Sequence, residues 1–254
     1  MPIIIKYQND NNEYQFNSFN EINNYDNVVY INCNINKFYE LPELPNSLKY
    51  LSCWYNQLTS LPKLPNSLQY LSCYWNQLCE LLILPNSLTE LDCSGNQLTS
   101  LPELSNSLIK LYCDNNQLTL LPKLPNSLQH LVCNNNRLTT LPKLPNSLIK
   151  LYCHNNQLSS LSKLPNSLQH LECDHNKLTS LPILPNSLQL LYCYHNQLTS
   201  LPSFPSQIKY FSCEYNNLTS LPELPNSLIK LDCRDNRITS IQKQKHKYLS
   251  NIIY

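Results

Sequence analysis

The sequence predicts a repeat solenoid: a stack of short coils with a parallel β-sheet along one side and an extended, polyproline-like return along the other. Three observations carry this. From Leu41 to Ser240 the chain divides into ten blocks of 20 residues without insertion or deletion, such as LPKLPNSLQYLSCYWNQLCE (61–80) and LPELPNSLIKLDCRDNRITS (221–240). Cysteine recurs at one fixed position of every block from Cys33 to Cys233, and asparagine recurs in step from Asn36 to Asn236. Two prolines three residues apart, such as Pro62 and Pro65, occupy the other half of most blocks, where they fix φ and remove backbone donors.

Each segment follows from this pattern. Residues 1–27 lack the repeat and read as an N-terminal cap. Ile3 to Tyr7 and Tyr14 to Phe16 suit a hairpin around Asn9 to Asn12, and Ser18 with Glu21 has the spacing of a capping box before a short helix. Residues 28–40 are a half-block. Val28, Ile31, Cys33, Asn36 and Phe38 stand where Leu48, Leu51, Cys53, Asn56 and Leu58 stand in the next block. The repeats therefore run over 28–240. Within a block, Leu51 and Cys53 alternate with variable residues, so they point inward from a short strand. A column of cysteine, a small and commonly buried side chain, fits a narrow core. The asparagine amide, donor and acceptor at once, suits backbone groups left open where the strand ends. Strands about 4.8 Å apart give a sheet roughly 50 Å long over eleven coils. No coil buries its own apolar face, so its neighbours supply the core. Residues 241–254 form a Lys-rich tail with apolar Tyr248, Leu249, Ile252, Ile253 and Tyr254, and read as a C-terminal cap.

Composition excludes several classes of function. Lys plus Arg is 18 and Asp plus Glu is 17, too balanced for a general nucleic-acid binder. Gly95 is the one glycine, so phosphate-cradling loops have no material. Eighteen prolines and no alanine argue against helical bundles. No run of 18 apolar residues is present for a membrane span, and the three isoleucines after Met1-Pro2 are too few for the apolar part of a signal peptide. A thiol in every block fits a reducing, cytoplasmic setting. No cofactor is expected.

The signature L-x-x-L-x-C-x-x-N-x-L resembles the leucine-rich repeat. The fuller block LPxLPNSLxxLxCxxNxLTS is similar to the 20-residue repeats of bacterial effectors of the YopM and IpaH type, over the span from Leu41 to Ser240. The resemblance implies a leucine-rich-repeat horseshoe with the parallel sheet on its concave face, serving as a protein-recognition scaffold. IpaH-type relatives append a ubiquitin-ligase domain, for which the 14 residues after Ser240 are expected to leave no room. Leu82, Ser105 and Ser162 replace a repeat proline, and the block from Leu201 departs at Ser203, Phe204, Ser206 and Gln207. These put the local shape of their coils in question. The Asn-, Ile-, Lys- and Tyr-rich composition is similar to that of repeat proteins from amoebae and their giant viruses.

Function is expected at the variable positions of the strands, four columns headed by Tyr50, Ser52, Trp54 and Tyr55. Aromatic residues crowd two ends of this face: Tyr50, Trp54, Tyr55, Tyr70, Tyr74 and Trp75 in the early blocks, and Tyr192, Tyr194, Tyr210 and Tyr215 in the late ones. Tyrosine and tryptophan are good strand residues in any case. Six in two adjacent coils is denser than that requires, so they read as contacts for another protein. A glycan-binding aromatic shelf is the alternative. A metal-dependent hydrolase would use His154, His170, Glu172 and Asp174, but a flat strand surface is expected to hold such side chains apart, so no metal is assigned. A 40-residue superperiod, in which Ile109 to Cys113 recurs as Ile149 to Cys153 and Gln129-His130 as Gln169-His170, reads as duplication. A structural role with self-association is the remaining reading. The whole is expected to be a non-enzymatic scaffold with neither catalytic nor metal residues.

Overall fold

The computed structural model describes residues 1–238 and 252–253, which fall into two units, Met1–Leu128 and Gln129–Tyr254. Each unit is a parallel β-solenoid. In the first, β1 (Ile3–Tyr7) and β2 (Tyr14–Phe16) form an antiparallel hairpin, and β1 also pairs antiparallel with β3 (Val28–Asn32). After Ser18, expected to open a short helix, come two three-residue 3-10 turns, Phe19–Glu21 and Tyr25–Asn27. The Ser18 side chain makes no capping bond to the backbone; Glu21 instead turns back to accept the Asn17 N–H at 3.0 Å. The repeats then contribute β4 (Tyr50–Ser52), β5 (Tyr70–Ser72), β6 (Glu90–Asp92) and β7 (Lys110–Tyr112), each parallel to and in register with its predecessor, so that Tyr30 faces Tyr50 and Leu51 faces Leu71.

The second unit repeats this with β8 (His130–Val132), β9 (Lys150–Tyr152), β10 (His170–Glu172), β11 (Leu190–Tyr192), β12 (Tyr210–Ser212) and β13 (Lys230–Asp232). A two-residue strand, β14 (Ile252–Ile253), lies parallel to β13. The rest of the Lys-rich tail lies outside the described residues. No described helix is long and apolar enough to cross a membrane.

The core of each coil is the invariant part of the block. Leu48, Leu51, Cys53 and Leu58 have no exposed surface, and their counterparts repeat this coil after coil. Past each strand the ladder of backbone bonds continues: Cys53 N–H donates to Ser72 O at 2.8 Å, and its thiol points at the same carbonyl, 3.5 Å away. None of the twelve cysteines forms a disulfide, and only Cys79, off the ladder, is exposed. Burial pushes the Cys33 thiol up to about 12 and raises the Cys53 and Cys93 thiols well above the usual thiol range.

Asparagine closes the strand end as expected. The Asn76 amide nitrogen donates to Cys53 O and Cys73 O, both at 3.0 Å, while its oxygen accepts the Leu58 N–H at 3.0 Å. Each asparagine thus ties its own coil to the one before. A second ladder, unremarked in the sequence, runs along the other edge. Ser67 Oγ lies 2.7 Å from Asn46 O and 2.6 Å from Leu48 O, and Ser87, Ser127, Ser167 and Ser187 repeat the arrangement. The return between these ladders carries neither helix nor strand and ends in a turn closed by Leu68 N–H on Pro65 O at 3.1 Å.

The coils that depart from the pattern keep this frame. Ser105 is buried in place of proline, its hydroxyl 2.8 Å from Asn86 O, and Leu108 N–H still closes the turn on Ser105 O. In the block from Leu201, Phe204 packs edge-on against Phe211 at 4.7 Å and the turn at Pro205 persists. Leu82 stands exposed beside Ile83, and the turn at Pro85 persists.

Replacing Asn76 by alanine strips two carbonyls and one N–H of their shared partner at a buried site, and is expected to cost about 2 kcal/mol or more in urea unfolding. Gln97→Ala, at an exposed position, should change little. Equal midpoints for the two variants would contradict the ladder's role. Thiol titration gives a second check. The native protein should expose one reactive cysteine, Cys79, and the urea-unfolded chain twelve.

Candidate functional site

The sequence places four variable columns on the strands; the structure keeps two there. Strands end at residues such as Ser52 and Ser72, so the columns of Trp54 and Tyr55 lie beyond them, on the turn that leads to the ladder asparagine. The fourth column has a conformation of its own. Tyr55 (φ 56°), Trp75 (52°), Gly95 (62°), Asn115 (54°), His175 (49°), His195 (48°) and Tyr215 (54°) are all left-handed. The turn is held there by backbone bonds between coils, Tyr55 N–H to Tyr74 O at 3.0 Å and Trp75 N–H to Ser94 O at 2.9 Å. Asparagine and glycine take this conformation readily, whereas a bulky side chain raises its energy by about 1 kcal/mol.

In the first unit the aromatic residues form two rows. Tyr50 and Tyr70 stack at 4.2 Å with rings 3° apart, and Tyr30, absent from the expected set, extends the stack at 4.4 Å. Lys6 Nζ sits 5.3 Å from the Tyr30 ring centre and 3.1 Å from Glu13. Trp54 stacks on Tyr74 at 5.1 Å, and Tyr55 meets Trp54 edge-on at 6.4 Å. Tyr55 and Trp75, on the left-handed turns, are 58% and 57% exposed. Trp75 leans over the next coil at Gly95, where a Cβ would come within 3.0 Å of its ring. The lone glycine of the chain thus makes room for the indole. Its φ is shared by side-chain-bearing residues in other coils, so conformation alone does not demand it there.

The second unit holds the remaining expected residues. Tyr192 and Tyr194 approach at 6.5 Å, and Tyr215 stacks on His195 at 4.2 Å, with His175 next at 4.4 Å. Tyr210 stands on its strand in register with Leu190 and Lys230. The two histidines therefore join the aromatic row, a role that their shared column with Tyr215 already signalled. Burial first, then the Asp174 carboxylate, push the Tyr194 phenol up to about 12.

The flat-surface expectation for the histidine and acid group is corrected at one point. His154, Glu172 and Asp174 each bring a ligand atom within 4.8 Å of the others. Asp174 is buried, unlike most members of its column, and its carboxylate meets the His175 ring nitrogen at 3.0 Å. His170 stands apart, its Nδ1 3.5 Å from the Tyr152 hydroxyl.

The leucine-rich repeat family model matches residues 87–106. Among solved structures, the chain is similar to YopM, a leucine-rich effector protein from Yersinia pestis, with 41% identity and a TM-score of 0.79. That match covers 82% of this chain and 61% of YopM, so the chain spans about three fifths of that relative. A Shigella effector leucine-rich-repeat domain is 32% identical with a TM-score of 0.57, over 66% of this chain and 81% of that one. The functional domain of InlJ from Listeria monocytogenes, which includes a cysteine ladder, is 25% identical with a TM-score of 0.66, over 89% of this chain and 48% of that one. No curated protein matches the sequence.

The seating of Trp75 on Gly95 is testable by Gly95→Asn in a Trp54→Phe background. Asparagine suits the φ, as in neighbouring coils, so stability should change by about 1 kcal/mol or less. The indole must move, so its emission and near-UV dichroism should change clearly. An unaltered tryptophan signal would remove the glycine from this role.

Proposed function

This chain belongs to the leucine-rich-repeat family, and on that premise we propose that it is a non-enzymatic scaffold that recognises a partner protein through the outer face of its sheet and the aromatic turns beside it. One observation carries the reading. Tyr55, Trp75 and Tyr215 occupy left-handed positions where asparagine or glycine folds with less strain, and all three rings are half or more exposed. Folding gains little from an exposed ring on a strained turn, so the strain is accounted for by contacts made outside the chain. Tryptophan and tyrosine bring large, stiff surfaces with a polar handle, the chemistry of interface hot spots.

The first-unit surface is the principal site, with Tyr50, Trp54, Tyr55, Tyr70, Tyr74 and Trp75 as contacts; Tyr192, Tyr194, Tyr210 and Tyr215 form the corresponding surface of the second unit. Stacking favours a protein partner over a glycan. Sugars lie on open ring faces, whereas Tyr30, Tyr50 and Tyr70 cover one another's faces and present edges and hydroxyls. A reducing setting suits a column of thiols without disulfides, and the likeness to bacterial effectors supports action inside a cell.

A double variant, Tyr55→Asn with Trp75→Asn, removes the exposed rings and relieves two strained turns, so its unfolding midpoint should equal or slightly exceed that of the parent. Affinity capture followed by titration with the purified captured protein should show binding weakened about 30-fold or more, the scale of one hot-spot loss. Equal affinity in parent and variant would move the site off this surface.

A further inference from the structure

We propose that His154, Glu172 and Asp174 form a binding site for one divalent cation of borderline character, with Zn²⁺ the expected occupant. The register of the coils builds it. Strands β9 and β10 pair Lys150 with His170 and Tyr152 with Glu172, so two residues further on His154 and Asp174 are neighbours on adjacent coils. Glu172 stands on the same side of the chain as Asp174, two residues before it. Their donor atoms lie within 4.8 Å of one another, and His154 Nδ1 is 3.5 Å from Glu172 Oε2. A tetrahedral shell at about 2.1 Å needs donors about 3.4 Å apart, a closure within reach of small side-chain rotations. Imidazole nitrogen and carboxylate oxygen are both ligand types that Zn²⁺ accepts, and water would complete the shell.

The surroundings fit a cation. The Asp174 side chain is only 4% exposed and lies beside a second carboxylate, an arrangement that a positive ion stabilises. His175 Nδ1 is 3.0 Å from Asp174 Oδ2, where a ring N–H holds that carboxylate in place, as the outer partners of metal ligands do. Tyr152 and Tyr192 are the in-register neighbours of Glu172 on either side and wall the site. His170, two residues before Glu172 on the same strand, belongs to a separate contact with Tyr152 and serves as the internal control.

The test uses the full chain carrying Cys79→Ser, which removes the exposed thiol, stripped with a chelator and titrated with Co²⁺ and then Zn²⁺. The expected result is one equivalent of Co²⁺ with a visible spectrum of nitrogen and oxygen ligation, displaced by Zn²⁺. His154→Gln, Glu172→Gln and Asp174→Asn should each weaken binding by about ten-fold or more, His175→Asn by about ten-fold, and His170→Gln should leave it unchanged. Circular dichroism establishes that each variant is folded. Should the buried Asp174→Asn fail to fold, the more exposed His154 and Glu172 variants decide. The proposal is overturned by no stoichiometric binding, by affinity indifferent to His154 and Glu172, or by a thiolate-to-cobalt charge-transfer band placing the ion on a ladder cysteine.

Discussion

The bond from the ladder asparagine to the carbonyls of two successive coils is the constraint on which the rest depends. Asn56 reaches Cys33 O at 3.0 Å and Cys53 O at 2.9 Å, so its side chain must turn inward at a fixed place immediately after the strand. A chain leaving an extended strand makes that turn in one residue only if the residue before the asparagine is left-handed. The row from Tyr55 to Tyr215 is the outcome in each unit. What stands at that row is therefore chosen freely among side chains but not among backbones, and a ring placed there projects from the solenoid at a defined angle.

Around this bond the coil is reduced to few parts. Leucine and cysteine fill the core, asparagine satisfies one edge and serine the other, and proline spans the return without donors that need partners. Neither ladder is self-contained, since each amide or hydroxyl reaches into the preceding coil. A coil alone would leave its leucines wet and its carbonyls open. Stability is thus a property of stacking, and substitutions at Leu82, Ser105 or Phe204 change the surface or the packing locally while the turns on either side persist.

The same stacking places functional chemistry. Residues twenty apart become neighbours at strand spacing, so equal side chains in one column stack, as Tyr50 does on Tyr70, and unlike ones meet, as Glu90 does with Lys110 at 3.0 Å. Burial past the strand end differs from coil to coil: Asp174 is buried while His154, its neighbour in the same column, is partly exposed.

The block of twenty by itself determined the parallel solenoid, the inward leucines and cysteines, the asparagine ladder and the helix-free return, because each is a consequence of period, size and hydrogen-bonding capacity legible in one coil. The aromatic columns were legible as well, as lists of residues. Their geometry was not. That Tyr55 and Trp75 ride a left-handed turn, that Gly95 is the seat of an indole and that Tyr30 completes a stack are relations between coils, set by how the backbone turns to meet its neighbour. The serine ladder was not legible for the same reason, since the acceptors of Ser67 and its counterparts lie in the preceding coil. The meeting of His154, Glu172 and Asp174 depends on the register of adjacent coils, which the alternation of residues along the chain does not record. Sequence settles what repeats within a coil; only the stacked structure decides what meets across coils, because register brings together side chains that the chain keeps twenty residues apart.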